Sequence, residues 1–136
     1  DGINVETSFT GGPWTVAVSR DDLTQILINL LLNAAQAMNG QGTIAVQAQG
    51  IDEWRPGLTG ITRQAVQIHV TDNGPGIPDD HVNQIFDPFY SHRATGQGTG
   101  LGLAICQSIC ERAGGEIAFN REHRNGTRFV ITFQKA

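Results

Sequence analysis

"LTQILINLLLNAAQAM", residues 23–38, sets Asn29 and Asn33 one helical turn apart in an otherwise apolar run. On a helix, positions 22, 25, 29, 33 and 36 fall on one stripe, at spacings of three and four. That stripe reads Asp22, Gln25, Asn29, Asn33, Gln36, whereas Leu23, Ile26, Leu27, Leu30, Leu31, Leu32 and Ala34 occupy the other faces. Such a helix packs over most of its surface and keeps one polar seam. A buried carboxamide left without a partner costs about 1–3 kcal/mol, so the seam is either a solvated edge or a place where the amides meet something. Ile28 and Leu32 flank it, which predicts a half-buried seam.

Working outward, Ser19 or one of Asp21 and Asp22 can cap the helix, and "NGQG" at 39–42 ends it. Before it, "INVETS" at 3–8 alternates as a strand, Gly11, Gly12 and Pro13 turn the chain, and "WTVAV" at 14–18 predicts a second strand. After it, "TIAVQAQ" at 43–49 alternates, residues 50–64 predict a long exposed connection, and "AVQIHVTD" at 65–72 is again a strand. A short helix is expected after Pro78, with Asp79 and Asp80 in its first turn. It leads to the aromatic cluster "IFDPFY" at 85–90 and a glycine-rich stretch at 91–100. "LGLAICQSICERA" at 101–113 predicts a helix closed by Gly114 and Gly115, and 116–119 with 127–133 predicts a terminal hairpin. With no internal repeat and no linker, the 136 residues predict a single domain over 1–136. Its fold class is α+β, one sheet under a helical layer.

Composition narrows the partners. A net charge of −4, with Lys135 the sole lysine, argues against nucleic-acid and direct membrane binding, both of which favour a basic face. Any anion site must therefore draw on backbone amides, arginine, histidine or a metal. Cys106 and Cys110, four apart and without a second pair, read as buried helical thiols rather than a disulfide or zinc site. No apolar run reaches the ~20 residues that span a bilayer.

Two glycine motifs carry the chemistry. "VTDNGPGIP" at 70–78 places Asp72 at a strand tip with Gly74 and Gly76 beyond it. It reads either as a turn or as a carboxylate suited to an exocyclic amine, with glycines that let a ligand approach the backbone. "GQGTGLGL" at 96–103 opens a helix, whose amides suit a polyphosphate; a flexible linker is the other reading. Neither the dinucleotide fingerprint nor the Gly-Lys-Ser/Thr loop is present.

In this order the motifs resemble the catalytic, ATP-binding domain of bacterial sensor histidine kinases, in the GHKL superfamily. Residues 23–38 look like the asparagine box, "DNGPGIP" and "GQGTGLGLAI" like the two glycine boxes, and "FDPFY" like the phenylalanine box. "NGTRFVITF" resembles the closing strand. The resemblance covers about 21–133 and implies the Bergerat-type fold, a two-layer α/β sandwich. Its mixed, mostly antiparallel sheet would be covered on one face by about three helices.

The resemblance also implies roles. Asn33 would bind the Mg²⁺ that bridges the ATP phosphates, and Asn29 would lie beside the phosphate chain. Asp72 would accept from the adenine amino group, with Gly74, Gly76 and Ile77 lining the pocket and Thr127 supporting the base. Gly98, Gly100, Leu101, Gly102 and Leu103 would face the phosphates, while Gly96 and Thr99 shape a lid anchored by Phe86, Phe89 and Tyr90. Hydrolysing members carry a glutamate at the place of Asn29; an amide cannot serve as general base there, so transfer to a histidine is implied, with Asn29, Asn33 and Arg93 as the catalytic set.

Two departures stand out. Many members have lysine at Gln36 and a Thr-Lys pair at His92-Arg93; Gln36 resembles nitrogen-regulation-type kinases, and Arg93 offers a phosphate a bidentate fork. His92 could make nucleotide affinity depend on pH. None of His69, His81, His92 and His123 sits in a phosphoacceptor setting. The implied partners are a separate dimerising helical hairpin and a response regulator, in the cytoplasm of a cell whose full protein can be membrane-anchored. A serine-phosphorylating anti-sigma module of the same superfamily and an inert nucleotide sensor are the alternatives.

Overall fold

The computed structural model describes residues 2–56, 61–88, 101–120 and 125–136. Helix α1 (Arg20–Ala37) begins where the Ser19 hydroxyl accepts a hydrogen bond from the Asp22 amide at 3.1 Å. That bond satisfies one donor of the first turn, and the carboxylates of Asp21 and Asp22 suit the positive end of the helix. The helix stops where Asn39 and Gly40 adopt φ of 54° and 78° and the Gly40 amide returns to the Ala35 carbonyl at 3.0 Å.

Strand β1 (Ile3–Thr10) precedes α1, and β2 (Gly42–Trp54) follows it and pairs with β1 in parallel. A helical crossover is what a parallel pair requires. Strands β3 (Arg63–Asp72), β4 (Glu116–Phe119) and β5 (Thr127–Gln134) add antiparallel pairs, giving the order β1-β2-β3-β5-β4. The mixed, mostly antiparallel sheet is therefore as expected. On its covered face lie α1, a 3-10 helix at Asp79–Gln84 and α2 (Gly102–Arg112).

One line of α1, Ile26, Leu30 and Ala34, is buried on Ile44, Val70, Phe129, Ile131 and Phe133 of the sheet. Each large apolar side chain so buried contributes roughly 1.5–3 kcal/mol. Helix α2 adds Cys106, Ile109 and Cys110 to the same core. Burial pushes the Cys106 thiol up to about 11 and, with Cys106 and Glu111 adding their repulsion, the Cys110 thiol up to about 12. Both remain protonated, apolar fillers at neutral pH.

Two local expectations need correcting. Residues 14–18 are not a strand: only Val16 bridges, to Lys135, while Val16 and Val18 pack against the core at the end of β5. The connection expected at 50–64 is strand through Trp54, because β3 continues the pairing as Gly50↔Val66 and Ile51↔Ala65 before a shift to Trp54↔Arg63. Trp54 is buried and its indole Nε1 donates to Glu116 Oε1, a long-range contact that local glycines and a proline do not reveal. The short helix expected after Pro78 is present, as a 3-10 turn, and the polar seam is half-buried as expected, although its flanks Ile28 and Leu32 are 46% and 55% exposed. At roughly 100° per residue they project well away from the Ile26–Leu30–Ala34 line.

His69 lies on the face of β3 that pairs with Gln47 and Val130. Burial, with the nearby Arg128 charge second, lowers its pKa below the usual histidine value. Protons then bind the unfolded chain more readily than the folded one, so this residue's stabilising contribution is full above about pH 6.5 and is lost as pH falls through the lowered value. Thermal melts between pH 7.5 and 5 should decline less steeply for His69→Gln than for the parent; equal slopes would remove His69 from the acid response.

Candidate functional site

The site is built where β3 ends. Asp72 is 5% exposed, and its register partners are Ile44 on β2 and Thr127 on β5. A carboxylate in such a place needs donors. Two backbone amides supply them to the same oxygen: Gly74 N–H donates to Asp72 Oδ1 at 2.9 Å and Thr127 N–H at 3.3 Å. Both donors meet the same oxygen, which holds the carboxylate from that side.

Glycine is required around it for steric reasons. A Cβ on Gly126 would lie 1.9 Å from the Asp72 carbonyl oxygen, and its φ of +113° already disfavours other residues. Gly76, at φ +82°, sits against the Gly126 carbonyl, 3.2 Å from where its own Cβ would be. A Cβ on Gly74 would meet Met38 Cγ at 3.0 Å and the Ala37 carbonyl at 3.8 Å. The C-terminal end of α1 therefore packs directly on the turn after Asp72. Asn73 ties that turn to β2: its Oδ1 accepts from Thr43 N–H at 3.0 Å, and its own N–H donates to the Thr43 carbonyl at 3.3 Å.

The structure so brings Asp72, Gly74, Gly76 and Thr127 together and sets the end of α1 beside them. Asn29, Asn33 and Gln36 are half-buried on α1. Asn29 Oδ1 accepts from Gln25 Nε2 at 3.3 Å, whereas its Nδ2, buried, has no hydrogen-bond partner among the described residues. Ile77 packs against the core, as does Leu103 of α2. Phe86 is held edge-on to Phe129 with ring centroids 6.1 Å apart, an anchor in the core. Leu101 occupies the cap position of α2, and its carbonyl accepts from Ile105 N–H at 2.9 Å.

Gly102 differs from the other glycines. A Cβ there would meet none of the described residues within 4 Å, and no positive φ demands a glycine. Among the described residues, neither packing nor backbone strain explains the glycine at the first turn of α2. The expected lid residues His92, Arg93, Gly96, Gly98, Thr99 and Gly100, and the aromatics Phe89 and Tyr90, lie outside the described residues.

Sequence reasoning missed Gly126, Asn73 and Met38 as parts of the site. The Asn-Gly pair before β5 is the signal for Gly126, since that dipeptide marks positive φ. Nothing local marks Met38 or Asn73, whose partners are remote in sequence. Among the described residues no three His, Cys, Asp or Glu side chains are grouped as a metal site.

Comparison with known proteins agrees with this geometry. Residues 18–136 match the family described as histidine kinase-, DNA gyrase B- and HSP90-like ATPase. The chain is 43% identical over 111 residues to the sensor histidine kinase ZraS of Salmonella typhimurium, covering 82% of this chain and 21% of that protein. It is 44% identical over 101 residues to the sensory histidine kinase/phosphatase NtrB of Rhodobacter capsulatus, covering 72% and 28%. The chain thus spans less than a third of these relatives.

The catalytic domain of histidine kinase ThkA superposes with a TM-score of 0.76 at 30% identity, over 98% of this chain and 79% of that one. Full-length ShkA in complex with AMPPNP gives 0.76 at 28% identity, over 99% and 26%. ThkA in complex with the response regulator TrrA gives 0.68 at 27%, over 97% and 34%. The serine-kinase alternative finds no counterpart among these proteins. This chain belongs to the histidine kinase-, DNA gyrase B- and HSP90-like ATPase family, as an ATP-binding catalytic domain of the sensor histidine kinase type.

Proposed function

We propose that this domain binds Mg·ATP between the end of β3 and the start of α2, and donates the γ-phosphoryl to a histidine on a separate helical hairpin. The phosphoryl group then passes to a response regulator. The observation that carries this reading is Asp72, a buried carboxylate oriented by two backbone amides at a strand end. Such a fixed acceptor matches the amino group of adenine and repels the oxygen that guanine presents there. Gly74, Gly76 and Ile77 line the base, and Thr127 supports it. The side of Gly102 that no described residue approaches, with Leu101 and Leu103 around it, suits phosphate oxygens at a helix N-terminus.

The donor set fits a magnesium ion carried in by the nucleotide. Asn33 offers one neutral amide oxygen, and no carboxylate cluster competes among the described residues. The ion, when bound, neutralises charge on the phosphates; the chain's own work is to orient them, with Asn29 and Gln36 along the seam and His92, Arg93, Gly96, Gly98, Thr99 and Gly100 over them. Asn29 cannot take a proton from water near neutral pH, so an oriented imidazole is the better nucleophile. The partners that complete the system are the acceptor hairpin and a response regulator, the class found with ThkA. We place the domain in the cytoplasm, as a single unit over 1–136. No helix among the described residues is long and apolar enough to cross a membrane.

Labelled ATP tests the reading. With γ-labelled ATP and Mg²⁺, acid-labile label should appear on an added acceptor hairpin and not on this chain alone. Asn33→Ala should slow transfer about 100-fold, the order expected when metal-assisted charge stabilisation is lost. Stoichiometric acid-labile label on the isolated chain would overturn the division of labour.

A further inference from the structure

Asn73 has no part in the chemistry proposed above, yet it stands where β3 ends. The ladder between β2 and β3 closes at Ile44↔Asp72. If the antiparallel pairing ran on, Thr43 and Asn73 would exchange both main-chain hydrogen bonds. One of the two is made in that way: Asn73 N–H donates to the Thr43 carbonyl at 3.3 Å. The other is made by the side chain, with Thr43 N–H donating to Asn73 Oδ1 at 3.0 Å. The main-chain carbonyl of Asn73 is thereby released from the ladder, and the chain can bend at this residue. The bend brings Gly74 N–H back to Asp72 Oδ1 at 2.9 Å, closing a turn between a side chain and the backbone two residues on. Gly42 leaves room for the exchange: a Cβ there would lie 2.7 Å from Asn73 Oδ1.

We propose that Asn73 is a positioning residue for base selection: its carboxamide takes over the last bond of the β2–β3 ladder, so that the turn can hold the Asp72 carboxylate in place. This rests on the reading of Asp72 as the acceptor for the adenine amino group. The competing way to end the strand is close at hand. Without the side-chain carbonyl, Thr43 N–H would turn to the main-chain carbonyl of residue 73. The ladder would then run one residue further, and Gly74 N–H would swing away from Asp72. Of its two bonds to backbone amides the carboxylate would keep the longer, from Thr127 N–H at 3.3 Å. Asn73 is exposed, so truncating it removes no core packing and isolates this role.

Two nucleotides separate positioning from general support of the turn. ATP carries the exocyclic amine and purine riboside triphosphate lacks it. The ratio of their affinities, measured by calorimetry with Mg²⁺, therefore reads the contact with Asp72. Asn73→Ala should lower that ratio about fivefold, the order expected when one hydrogen bond holding a charged group is lost. Asn73→Asp keeps an acceptor for Thr43 N–H, and its added charge acts on both nucleotides alike, so its ratio should stay within about twofold of the parent. Without nucleotide, hydrogen exchange at the Gly74 amide should quicken about tenfold in Asn73→Ala and stay within about threefold of the parent in Asn73→Asp. Three results would overturn the proposal: an Asn73→Ala domain that loses both nucleotides equally, a Gly74 amide that exchanges there as in the parent, or an Asp variant that behaves like the Ala variant. A parent with no preference for ATP would refute the reading of Asp72 and base selection with it, while the exchange of Gly74 would still decide whether Asn73 orders the turn.

Discussion

Asp72→Asn should weaken ATP binding by roughly 30- to 100-fold, about 2–3 kcal/mol, while the fold survives. The direction follows from which atom the protein holds. Gly74 N–H and Thr127 N–H both donate to Oδ1. An asparagine at this position satisfies them only with its carbonyl oxygen facing inward, which forces its NH₂ into the position of the second carboxylate oxygen. There it would face the amino group of adenine bound as proposed, donor against donor. The backbone amides keep their acceptor, so the melting temperature should move by only a few degrees. GTP, which presents an oxygen at the same place, should lose less than threefold. Calorimetry with both nucleotides measures the contrast. An Asp72→Asn domain that binds ATP as the parent does would show that this carboxylate is a structural cap for the β3 turn and not the reader of the base.

The same residues show what a sequence can carry. The asparagine spacing of α1, the position of Asp72 at a strand tip and the helix after the second glycine motif were all legible, because each depends on a local period or on a residue type with one dominant use. The parallel β1–β2 pair was not legible, because residues 14–18 read as a further strand between β1 and α1. What stayed hidden depends on distance in the chain. Trp54 reads as part of a loop because glycines and a proline surround it; in the fold it is buried and donates to Glu116, 62 residues away. Val16 and Val18 alternate like a strand, but cover the end of β5 instead of extending the sheet. Ile28 and Leu32 look like core and face outward, because the helix buries a narrower line than its composition suggests.

Gly126→Ala should be the most damaging single substitution at the site, although Gly126 touches no part of the proposed ligand. Two costs add. A φ of +113° is one that an alanine adopts only under strain, worth about 1–3 kcal/mol. The new methyl would also lie 1.9 Å from the Asp72 carbonyl oxygen and 3.0 Å from Asn73 Cα, both backbone atoms that cannot rotate aside. Relief requires parting β5 from β3 at the Asp72↔Thr127 pair, and that movement withdraws the Thr127 amide from the Asp72 carboxylate. Stability should fall by about 3–5 kcal/mol, a large part of the ~5–15 kcal/mol that a domain of this size possesses. ATP affinity should fall with it, even at low temperature where the variant remains folded. Gly102→Ala is the control for glycine loss as such: its Cβ meets none of the described residues and needs no unusual φ, so stability should change by less than about 1 kcal/mol. Chemical denaturation of the two variants side by side decides the matter. Equal stability losses would mean that the Gly126 contact relaxes at little cost, and that the strand-end carboxylate is held by something other than the close approach of these two backbones.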